Sequence, residues 1–430
     1  MNIIKIISNQ NKYYLIDGFS NEIYQLDNQE ELTQISIDDL DEFKTHQSLI
    51  PTNYEKDIVN NAKTLVLEIT EQCNLRCTYC IFDEDYQNER KHNSFNMSKD
   101  IVYKAIDNYK TRINNKEAYI VFYGGEPLIR YDFIKDIVNY AKKILGDIVK
   151  FSFTTNGIYL TKEKIIFFKD NNFLITVSLD GDKNIHNKYR KDKDKNGSYD
   201  TIINNLKYIY YNYLEYYKKN IQINCVVNSA EEFKELNNFF STNKFVKDIN
   251  IRFSNQIQNS MELSNHIKKI FTKEHILNLI KFNSLKKHPL EYKYYGDLIK
   301  KIKYRILGEK AKDRKVKCIP FSNRTYVRAT GETQFCERIE NMGITNLDTN
   351  SMKTTANLHL KNYQGFIEKE CNSCFAYNYC DMCFASFVNN SILDKNITYS
   401  KCDSFRKEIK IAFEIYIELM ETNKKLLEQF

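Results

Sequence analysis

Residues 73–80 read CNLRCTYC, and this stretch decides how the rest of the chain is interpreted. It places Cys73, Cys77 and Cys80 on one short loop, directly after an apolar run over residues 64–69. Three thiolates with this spacing can reach three irons of one [4Fe–4S] cubane, which normally has four thiolate ligands. No further cysteine lies nearby in the sequence, so we expect the fourth iron to stay open for another ligand.

A zinc site is the alternative explanation of this loop. Structural zinc prefers four ligands, and His92 could complete the three cysteines. The chain has 11 cysteines, an unusual number for a cytosolic protein, in which disulfides would be reduced. Short, regular cysteine spacings therefore indicate metal ligands, and the motifs that follow favour iron–sulfur over zinc.

From residue 64 onward, apolar runs alternate with amphipathic stretches. The predicted strands cover residues 64–69, 118–123, 150–155, 174–179, 221–227 and 248–253, and the predicted helices cover 98–110, 131–145, 161–170, 199–213 and 230–241. Apolar strands separated by polar helices indicate a parallel sheet with helices on its outer face. Six such units predict an α/β fold, an open partial barrel, whose site lies at the C-terminal ends of the strands.

Short polar motifs follow the predicted strands in order. They are GGEP at 124–127, TTNG at 154–157 and SLDG at 178–181, followed by His186 and Arg190. Paired glycines let a ligand approach the backbone closely, and their carbonyls can accept hydrogen bonds from an ammonium group. A guanidinium can bind a carboxylate bidentately. Each motif is weak alone, but their order at successive strand ends is hard to produce by chance.

Together, the cysteine loop and these motifs resemble the radical S-adenosylmethionine superfamily over about residues 64–253. The resemblance implies a partial (β/α)6 barrel in which S-adenosylmethionine chelates the open iron and is cleaved to a 5′-deoxyadenosyl radical. The residues that it assigns to the cofactor are Tyr79, Gly124, Gly125, Glu126, Asn156, Ser178, Asp180 and Arg190. The two glycines and the glutamate would meet the amine, the arginine the carboxylate and the tyrosine the adenine, with the others near the ribose or carboxylate.

Seven further cysteines lie in the last part of the chain, too many for one tetrahedral centre. Cys371, Cys374, Cys380 and Cys383 alone could form a zinc site, but the whole pattern resembles the SPASM extension of peptide- and protein-modifying radical enzymes. By that resemblance, the ligands of a first auxiliary [4Fe–4S] cluster are Cys318, Cys336 and Cys383. Those of a second are Cys371, Cys374, Cys380 and Cys402. Two residues separate Cys380 from Cys383, one fewer than the family's usual spacing.

The first auxiliary cluster would have an iron without a cysteine ligand, because no cysteine lies between Cys318 and Cys336. Such an iron can bind a substrate thiolate. This predicts a radical enzyme that links a cysteine sulfur of a ribosomally made precursor peptide to an acceptor carbon. Glu337 could instead close that iron site, act as a base for a substrate proton, or be an ordinary exposed loop residue.

Other functions remain open from the sequence alone. They are a sulfatase-type formylglycine maturase, a peptide epimerase or carbon–carbon crosslinking enzyme, and a zinc-stabilised binding module without radical chemistry. In the family that the pattern resembles, sulfatase-maturing members carry an extra cysteine near the first C-terminal one. No cysteine lies between Cys318 and Cys336 here, which disfavours the first of these functions. The radical enzymes would need a precursor peptide as substrate and an electron donor such as ferredoxin or flavodoxin.

The chain is expected to divide into five segments. They are a hairpin-containing N-terminal segment (1–60), the radical core (61–255), a helical connector (256–317), the SPASM domain (318–403) and a C-terminal helix (404–430). The first segment has a predicted hairpin over residues 13–26 and a helix over 37–45. It is either a reduced leader-recognition element or a structural cap.

Charge and hydropathy favour a cytoplasmic enzyme. The 430 residues include 63 basic and 56 acidic side chains, a net charge of +7 that is scattered along Lys-rich helices. That distribution favours a solvated surface over a nucleic-acid interface. No apolar run approaches the ~18 residues of a membrane span, and the N-terminus does not have signal-peptide architecture.

Overall fold

The computed structural model describes residues 3–18, 21–34, 54–80, 82, 92–114, 117–229, 231–255, 272–281, 285, 288–306, 318–339, 342–371, 374–380, 384–389, 392–428 and 430. In chain order, the strands are β1 (Ile3–Ile7), β2 (Tyr13–Asp17), β3 (Ile23–Leu26), β4 (Thr64–Thr70), β5 (Ala118–Gly124), β6 (Val149–Thr155), β7 (Leu174–Ser178), β8 (Ile221–Val227), β9 (Asn250–Asn255), β10 (Thr325–Val327), β11 (Thr333–Gln334), β12 (Val388–Asn389) and β13 (Ile392–Leu393).

The helices are α1 (Gln29–Gln34), α2 (Tyr54–Asn60), α3 (Lys99–Arg112), α4 (Tyr131–Leu145), α5 (Lys162–Asp170), α6 (Lys183–Tyr189), α7 (Tyr199–Asn212), α8 (Leu214–Asn220), α9 (Phe233–Thr242), α10 (Lys273–Lys281), α11 (Asp297–Ile306), α12 (Thr349–Cys371) and α13 (Lys395–Thr422). Short helical turns cover Pro127–Arg130, Gly146–Ile148, Pro289–Glu291, Tyr292–Gly296, Phe384–Ser386 and Lys424–Leu427. No described helix is both long and apolar enough to cross a membrane.

An eight-stranded sheet, in the order β11-β10-β4-β5-β6-β7-β8-β9, forms the centre of the molecule. Strands β4 to β9 are parallel and adjacent in chain order, and helices connect them along the chain. The predicted α/β fold with a parallel sheet is confirmed. Four of these six strands begin at the predicted residue, while β6 begins one residue earlier and β9 two residues later.

The two faces of this sheet differ in polarity. Alternate side chains such as Ile120, Phe122 and Phe153 pack with the helices in the main hydrophobic core. The other face carries polar side chains, of which Gln222 donates to Thr176 at 2.8 Å and Asn250 donates to Gln222 at 3.2 Å. Strands that alternate in this way have one face in the core and one face available to polar partners.

Strand β10 was not predicted from the sequence. It lies parallel to β4, with Thr325 opposite Leu65, and so adds a seventh parallel strand from the C-terminal region. Arg112, at the end of α3, fixes this addition by donating to the Phe321 carbonyl at 2.9 Å and to the Thr325 hydroxyl at 3.0 Å. Three residues are too few to show a period, so the sequence had no signal for this strand.

The N-terminal strands form a separate antiparallel sheet, β1-β2-β3. The predicted hairpin is confirmed, with Tyr13 opposite Leu26, while the helix predicted over 37–45 lies outside the described residues. This sheet contacts α13, because the hydroxyls of Ser8 and Tyr14 donate to the Glu421 carboxylate at 3.0 and 2.6 Å. The first and last described parts of the chain therefore pack together.

The C-terminal helix begins earlier than expected. Helix α13 starts at Lys395 rather than at about residue 404, so the boundary expected between residues 403 and 404 falls inside one continuous helix. The Asp394 carboxylate accepts from the Asn396 amide at 2.9 Å, which is the usual contact of an N-cap residue. Cys402 therefore lies on this helix.

Candidate active site

The cysteine loop begins where β4 ends, at the carboxyl edge of the parallel sheet. Its backbone is fixed by hydrogen bonds from the Arg76 amide to the Lys191 carbonyl (2.7 Å) and from the Thr78 amide to the Tyr189 carbonyl (3.0 Å). Cys77 is buried, and the other two cysteines of the loop are half-buried. The segment around residues 189–191 thus holds the loop in place.

The environment of these thiols suits a cationic cluster. Burial raises the pKa of the Cys73 thiol to about 12, and the negative charges of Glu126, Cys77 and Cys80 act in the same direction. The Cys73 thiol is therefore close enough to Cys77 and Cys80 for their charges to act on it, and ionised thiols here would need a compensating positive charge. Among the described residues, no group of three or more His, Cys, Asp and Glu side chains could hold a single metal ion.

The paired glycines are required by the chain's own backbone. A Cβ on Gly124 would lie 1.9 Å from the Thr70 carbonyl oxygen, and Gly124 also has a φ of +132°. A Cβ on Gly125 would lie 2.2 Å from the Gln72 carbonyl oxygen. These contacts bring the end of β5 against the start of the cysteine loop, so the glycines set the position of the loop.

The Glu126 side chain is fully buried and used within the protein. Its carboxylate accepts from the amides of Leu128 (3.0 Å) and Asn156 (2.7 Å) and from the Thr155 hydroxyl (2.8 Å). Burial raises the pKa of Glu126, while these hydrogen bonds lower it. The carboxylate therefore joins the ends of β5 and β6, and any contact of Glu126 with a cofactor amine would come from its backbone.

Asn156 connects β6 to the cysteine loop. Its side-chain amide donates to the Asn74 side-chain oxygen at 2.7 Å, and its own side-chain oxygen accepts from the Ile158 amide at 3.1 Å. Ser178, at the end of β7, is also buried at the same edge of the sheet. Asn74 was not singled out from the sequence, because a polar residue between two cysteines carries no distinguishing pattern.

The structure brings Tyr79, Asp180 and Arg190 together beside Cys77. The Asp180 carboxylate accepts from Arg190 Nε at 2.9 Å, from the Val226 amide at 2.9 Å and from the Tyr79 hydroxyl. Arg190 Nη1 lies 3.7 Å from the Cys77 sulfur. Burial alone would lower the pKa of Arg190, but Tyr79, Asp180 and Cys77 raise it well above its ordinary value, so the guanidinium stays charged.

His186 and Ser198 support this group. His186 Nδ1 accepts from the Asp180 amide at 3.2 Å, so the neutral ring carries its proton on Nε2 and donates it to Ser198 Oγ at 2.9 Å. The Ser198 hydroxyl in turn donates to the Arg190 carbonyl at 3.3 Å. Ser198 was missed, because it is eight residues from Arg190 and belongs to no motif.

Two of the C-terminal cysteines lie near each other at the opposite end of the sheet. Burial raises the pKa of the Cys336 thiol to about 12, and the charges of Glu337 and Cys318 raise it further. Cys318 precedes β10 and Cys336 follows the antiparallel β11, so both lie at the N-terminal end of β10. The length of β4, about 20 Å at ~3.3 Å per residue, separates this end from the cysteine loop.

A second pair of cysteines meets at an arginine on α13. Arg406 forms a hydrogen bond with Cys374 and interacts with the charge of Cys402, and both interactions raise its pKa against the effect of burial. Cys336, Cys371, Cys374 and Cys402 all pack against one small hydrophobic cluster that includes Phe321 and Phe335. Cys383 lies outside the described residues. Cys225 is fully buried in the main core.

Glu337 is not an exposed loop residue. Its side chain is 8% exposed, and Arg324 Nη2 lies 2.9 Å from its Oε1. The interpretation as an ordinary surface glutamate is therefore wrong, because the Glu337 side chain is buried and ion-paired. This ion pair lies next to Cys336 in the sequence. The sequence offered no sign of Arg324, which lies 13 residues away on the other side of β10 and β11.

Comparison with known proteins identifies the central domain. Residues 67–236 match the family described as the Radical SAM superfamily. The chain is 36% identical over 186 residues to a cysteine-type anaerobic sulfatase-maturating enzyme of Clostridium novyi, covering 42% of this chain and 48% of that protein. It is 34% identical over 131 residues to a serine-type enzyme of Bacteroides thetaiotaomicron, covering 30% of this chain and 32% of that protein. These matches span less than half of either relative.

Solved structures show the same fold over most of the chain. anSMEcpe with bound AdoMet has a TM-score of 0.62 at 19% identity, covering 85% of this chain and 98% of that one. anSMEcpe with bound AdoMet and Cp18Cys peptide has a TM-score of 0.59 at 19% identity, covering 84% and 99%. These structures show the fold alone. The match of residues 67–236 to the Radical SAM superfamily and the sulfatase-maturating relatives indicate that the chain is an enzyme containing a Radical SAM domain.

Replacing Gly124 by alanine is expected to prevent normal packing of the cysteine loop, because the new Cβ would lie 1.9 Å from the Thr70 carbonyl oxygen. Gly365→Ala is the matched control, since Gly365 lies in α12 with nothing within 4 Å of its new Cβ. Alanine gains up to about 1 kcal/mol over glycine within a helix. Thermal unfolding followed by circular dichroism should show a large fall in the midpoint temperature for G124A and no fall for G365A. Equal midpoints in the two variants would contradict the role of Gly124 in packing the loop.

His186 is expected to stay neutral in the folded protein until the pH approaches its pKa of about 4, lowered from 6.5 mainly by burial. The unfolded chain takes up this proton first, so the contribution of His186 to stability falls as the pH drops from about 6.5 towards 4. Exchange of the ring C2 hydrogen, followed by mass spectrometry across pH, measures this pKa. The same residue in urea is the control and should titrate near 6.5; equal values would contradict the prediction.

Proposed function

We propose that the chain is a radical enzyme that modifies a ribosomally made peptide, forming a thioether from a cysteine sulfur. The observation that carries the radical chemistry is the group of three mutually interacting thiols at the carboxyl edge of the sheet, with Arg190 beside one of them. The proposal of a thioether rests on the three-cysteine count of the first auxiliary group, to which Cys318 and Cys336 belong.

The residues proposed to hold the cofactors fall at three places. Cys73, Cys77 and Cys80 would hold the first [4Fe–4S] cluster, and the backbone at 124–126 and the residues around Asp180 would bind S-adenosylmethionine beside it. When bound, these groups supply a carbon-centred radical that abstracts a hydrogen atom from the substrate. The C-terminal cysteines would hold two auxiliary [4Fe–4S] clusters, and a ferredoxin or flavodoxin would donate electrons.

The protein's own groups would position the substrate and accept its proton. Glu337 lies beside Cys336 and is held by Arg324, an arrangement in which a carboxylate can take the proton of a thiol that binds there. The polar face of the sheet, with Thr176, Gln222 and Asn250, offers hydrogen-bonding groups to a peptide backbone. A solved structure of the related fold contains a bound peptide, which supports the substrate class.

Formylglycine formation is the second candidate function. It is favoured by the sulfatase-maturating relatives, of which one is named a cysteine-type and the other a serine-type enzyme. Those sequence matches cover 42% and 30% of this chain, so most of its length is not aligned with these relatives. The two functions share the first cluster and differ in the product that they form.

Cys77→Ala is expected to abolish reductive cleavage of S-adenosylmethionine, because it removes a proposed cluster ligand. The assay measures bound iron and 5′-deoxyadenosine after anaerobic incubation with dithionite. Cys225→Ala is the matched control, since Cys225 is equally buried but lies in the core on β8. It should keep its iron and its activity. Full activity of C77A would contradict the assignment, as would an equal loss of iron in both variants.

The chemical identity of the product tests whether the enzyme forms a thioether. A synthetic peptide library, each member carrying one cysteine, is incubated with enzyme, S-adenosylmethionine and dithionite and then analysed by mass spectrometry. A thioether product loses two hydrogens and can no longer be alkylated by iodoacetamide. Formylglycine has oxygen in place of the cysteine sulfur, also loses two hydrogens, and reacts with a hydrazide. We expect the first product in wild type and a loss of it in Glu337→Gln; a hydrazide-reactive product would support sulfatase-type maturation instead.

A further inference from the structure

Arg190 contacts both a carboxylate and a cysteine sulfur. Its Nε donates to Asp180 at 2.9 Å, while its Nη1 lies 3.7 Å from the Cys77 sulfur, within the range of an N–H···S hydrogen bond. The Arg190 side chain is 8% exposed and that of Asp180 is fully buried. The cation is therefore presented to the sulfur in a largely water-excluded place, where electrostatic interactions are strong.

The position of Arg190 is fixed from several directions. Asp180 is itself held by the Val226 amide of β8 and by the Tyr79 hydroxyl of the cysteine loop. The Arg190 amide donates to the His186 carbonyl, and the Arg190 carbonyl accepts from Ser198. The guanidinium also lies over the Tyr79 ring, 5.4 Å from its centre. A side chain with this many partners keeps its contact with the sulfur.

We propose that Arg190 tunes the electron affinity of the cluster held by Cys73, Cys77 and Cys80, and that Asp180 is the residue that positions it. The inference rests on the proposed function, since it needs that cluster. Hydrogen bonds to the sulfurs and net charge set the potential of an iron–sulfur cluster. Reduction adds negative charge next to Cys77, so a fixed guanidinium there favours the reduced form. This role does not depend on Arg190 binding the carboxylate of S-adenosylmethionine.

The test is a redox titration of the holoenzyme with dithionite, without S-adenosylmethionine, followed by electron paramagnetic resonance. Each cluster that is reduced in this titration takes up one electron from dithionite, and no bond of the protein forms or breaks. The relevant signal is the one that changes when S-adenosylmethionine is added afterwards. In Arg190→Gln we expect the equilibrium constant for reduction to fall at least tenfold, a downward shift of about 59 mV or more for one electron.

Lys188→Gln is the matched control, because it removes the same charge two residues before Arg190, on α6, from a side chain that pairs with Glu232 at 2.9 Å. Its midpoint should equal that of wild type. Since R190Q leaves Asp180 buried without its cation, the double variant R190Q/D180N is measured as well. It should shift in the same direction by a smaller amount, because it still lacks the Arg190 hydrogen bond to the sulfur but removes no net charge.

The outcomes separate this inference from the proposed function. Iron-loaded R190Q with the midpoint of the K188Q control would overturn the inference, and so would a loss of iron in both the single and the double variant, which would make the pair purely structural. A wild-type protein without any iron-dependent signal would refute the proposed function itself. A downward shift in R190Q with an unchanged K188Q supports the role of Arg190.

Discussion

The buried ion pair between Asp180 and Arg190 is the interaction on which the site depends. Taking two charges out of water costs several kcal/mol per ion, and this cost is offset only when further hydrogen bonds satisfy the remaining groups. Here Asp180 gains them from β8 and the cysteine loop, and Arg190 gains them from the sulfur of Cys77. The pair therefore connects four separate segments of the chain, and the position of the cysteines follows from it.

Glu126 is a second buried charge that is stabilised by hydrogen bonds, at the neighbouring strands β5 and β6. Its carboxylate is buried, satisfied by three hydrogen bonds, and joins the ends of β5 and β6 as Asp180 joins β7 and β8 to the loop. Parallel strands leave backbone amides at their carboxyl ends without ladder partners, and a buried carboxylate can accept from them. In both cases the acidic residue of a strand-end motif builds the edge of the sheet. The surface offered to a cofactor is then made by the backbone and by the few donors that remain, such as Arg190.

The sequence predicted the frame of this molecule better than its contacts. Apolar runs separated by amphipathic stretches located the six strands to within a few residues, because the strands of a covered parallel sheet are largely apolar. The motifs located the edge of the sheet where Asn156 and Arg190 contact the cysteine loop. The partners of these residues could not be predicted, since Asn74 and Ser198 reach them through tertiary packing rather than spacing. The burial of Glu337 and its pairing with Arg324 could not be predicted either, because Glu337 lies in an irregular segment without a periodic pattern.

Strands β10 and β11 determine how the two ends of the sheet relate to each other. Because β10 is parallel to β4, the chain before it and the chain after β11 both lie at the end away from the cysteine loop. Strand register therefore places the two groups of cysteines at opposite ends of β4, an interval of about 20 Å at ~3.3 Å per residue. Val66 and Glu68 of β4 lie within this interval on the face opposite the main core, and Glu68 accepts from the Ala329 amide at 3.2 Å. Both side chains are buried. The contact with Ala329 therefore means that the chain following β10 covers this part of β4, so the C-terminal region is packed against the sheet between the two groups of cysteines.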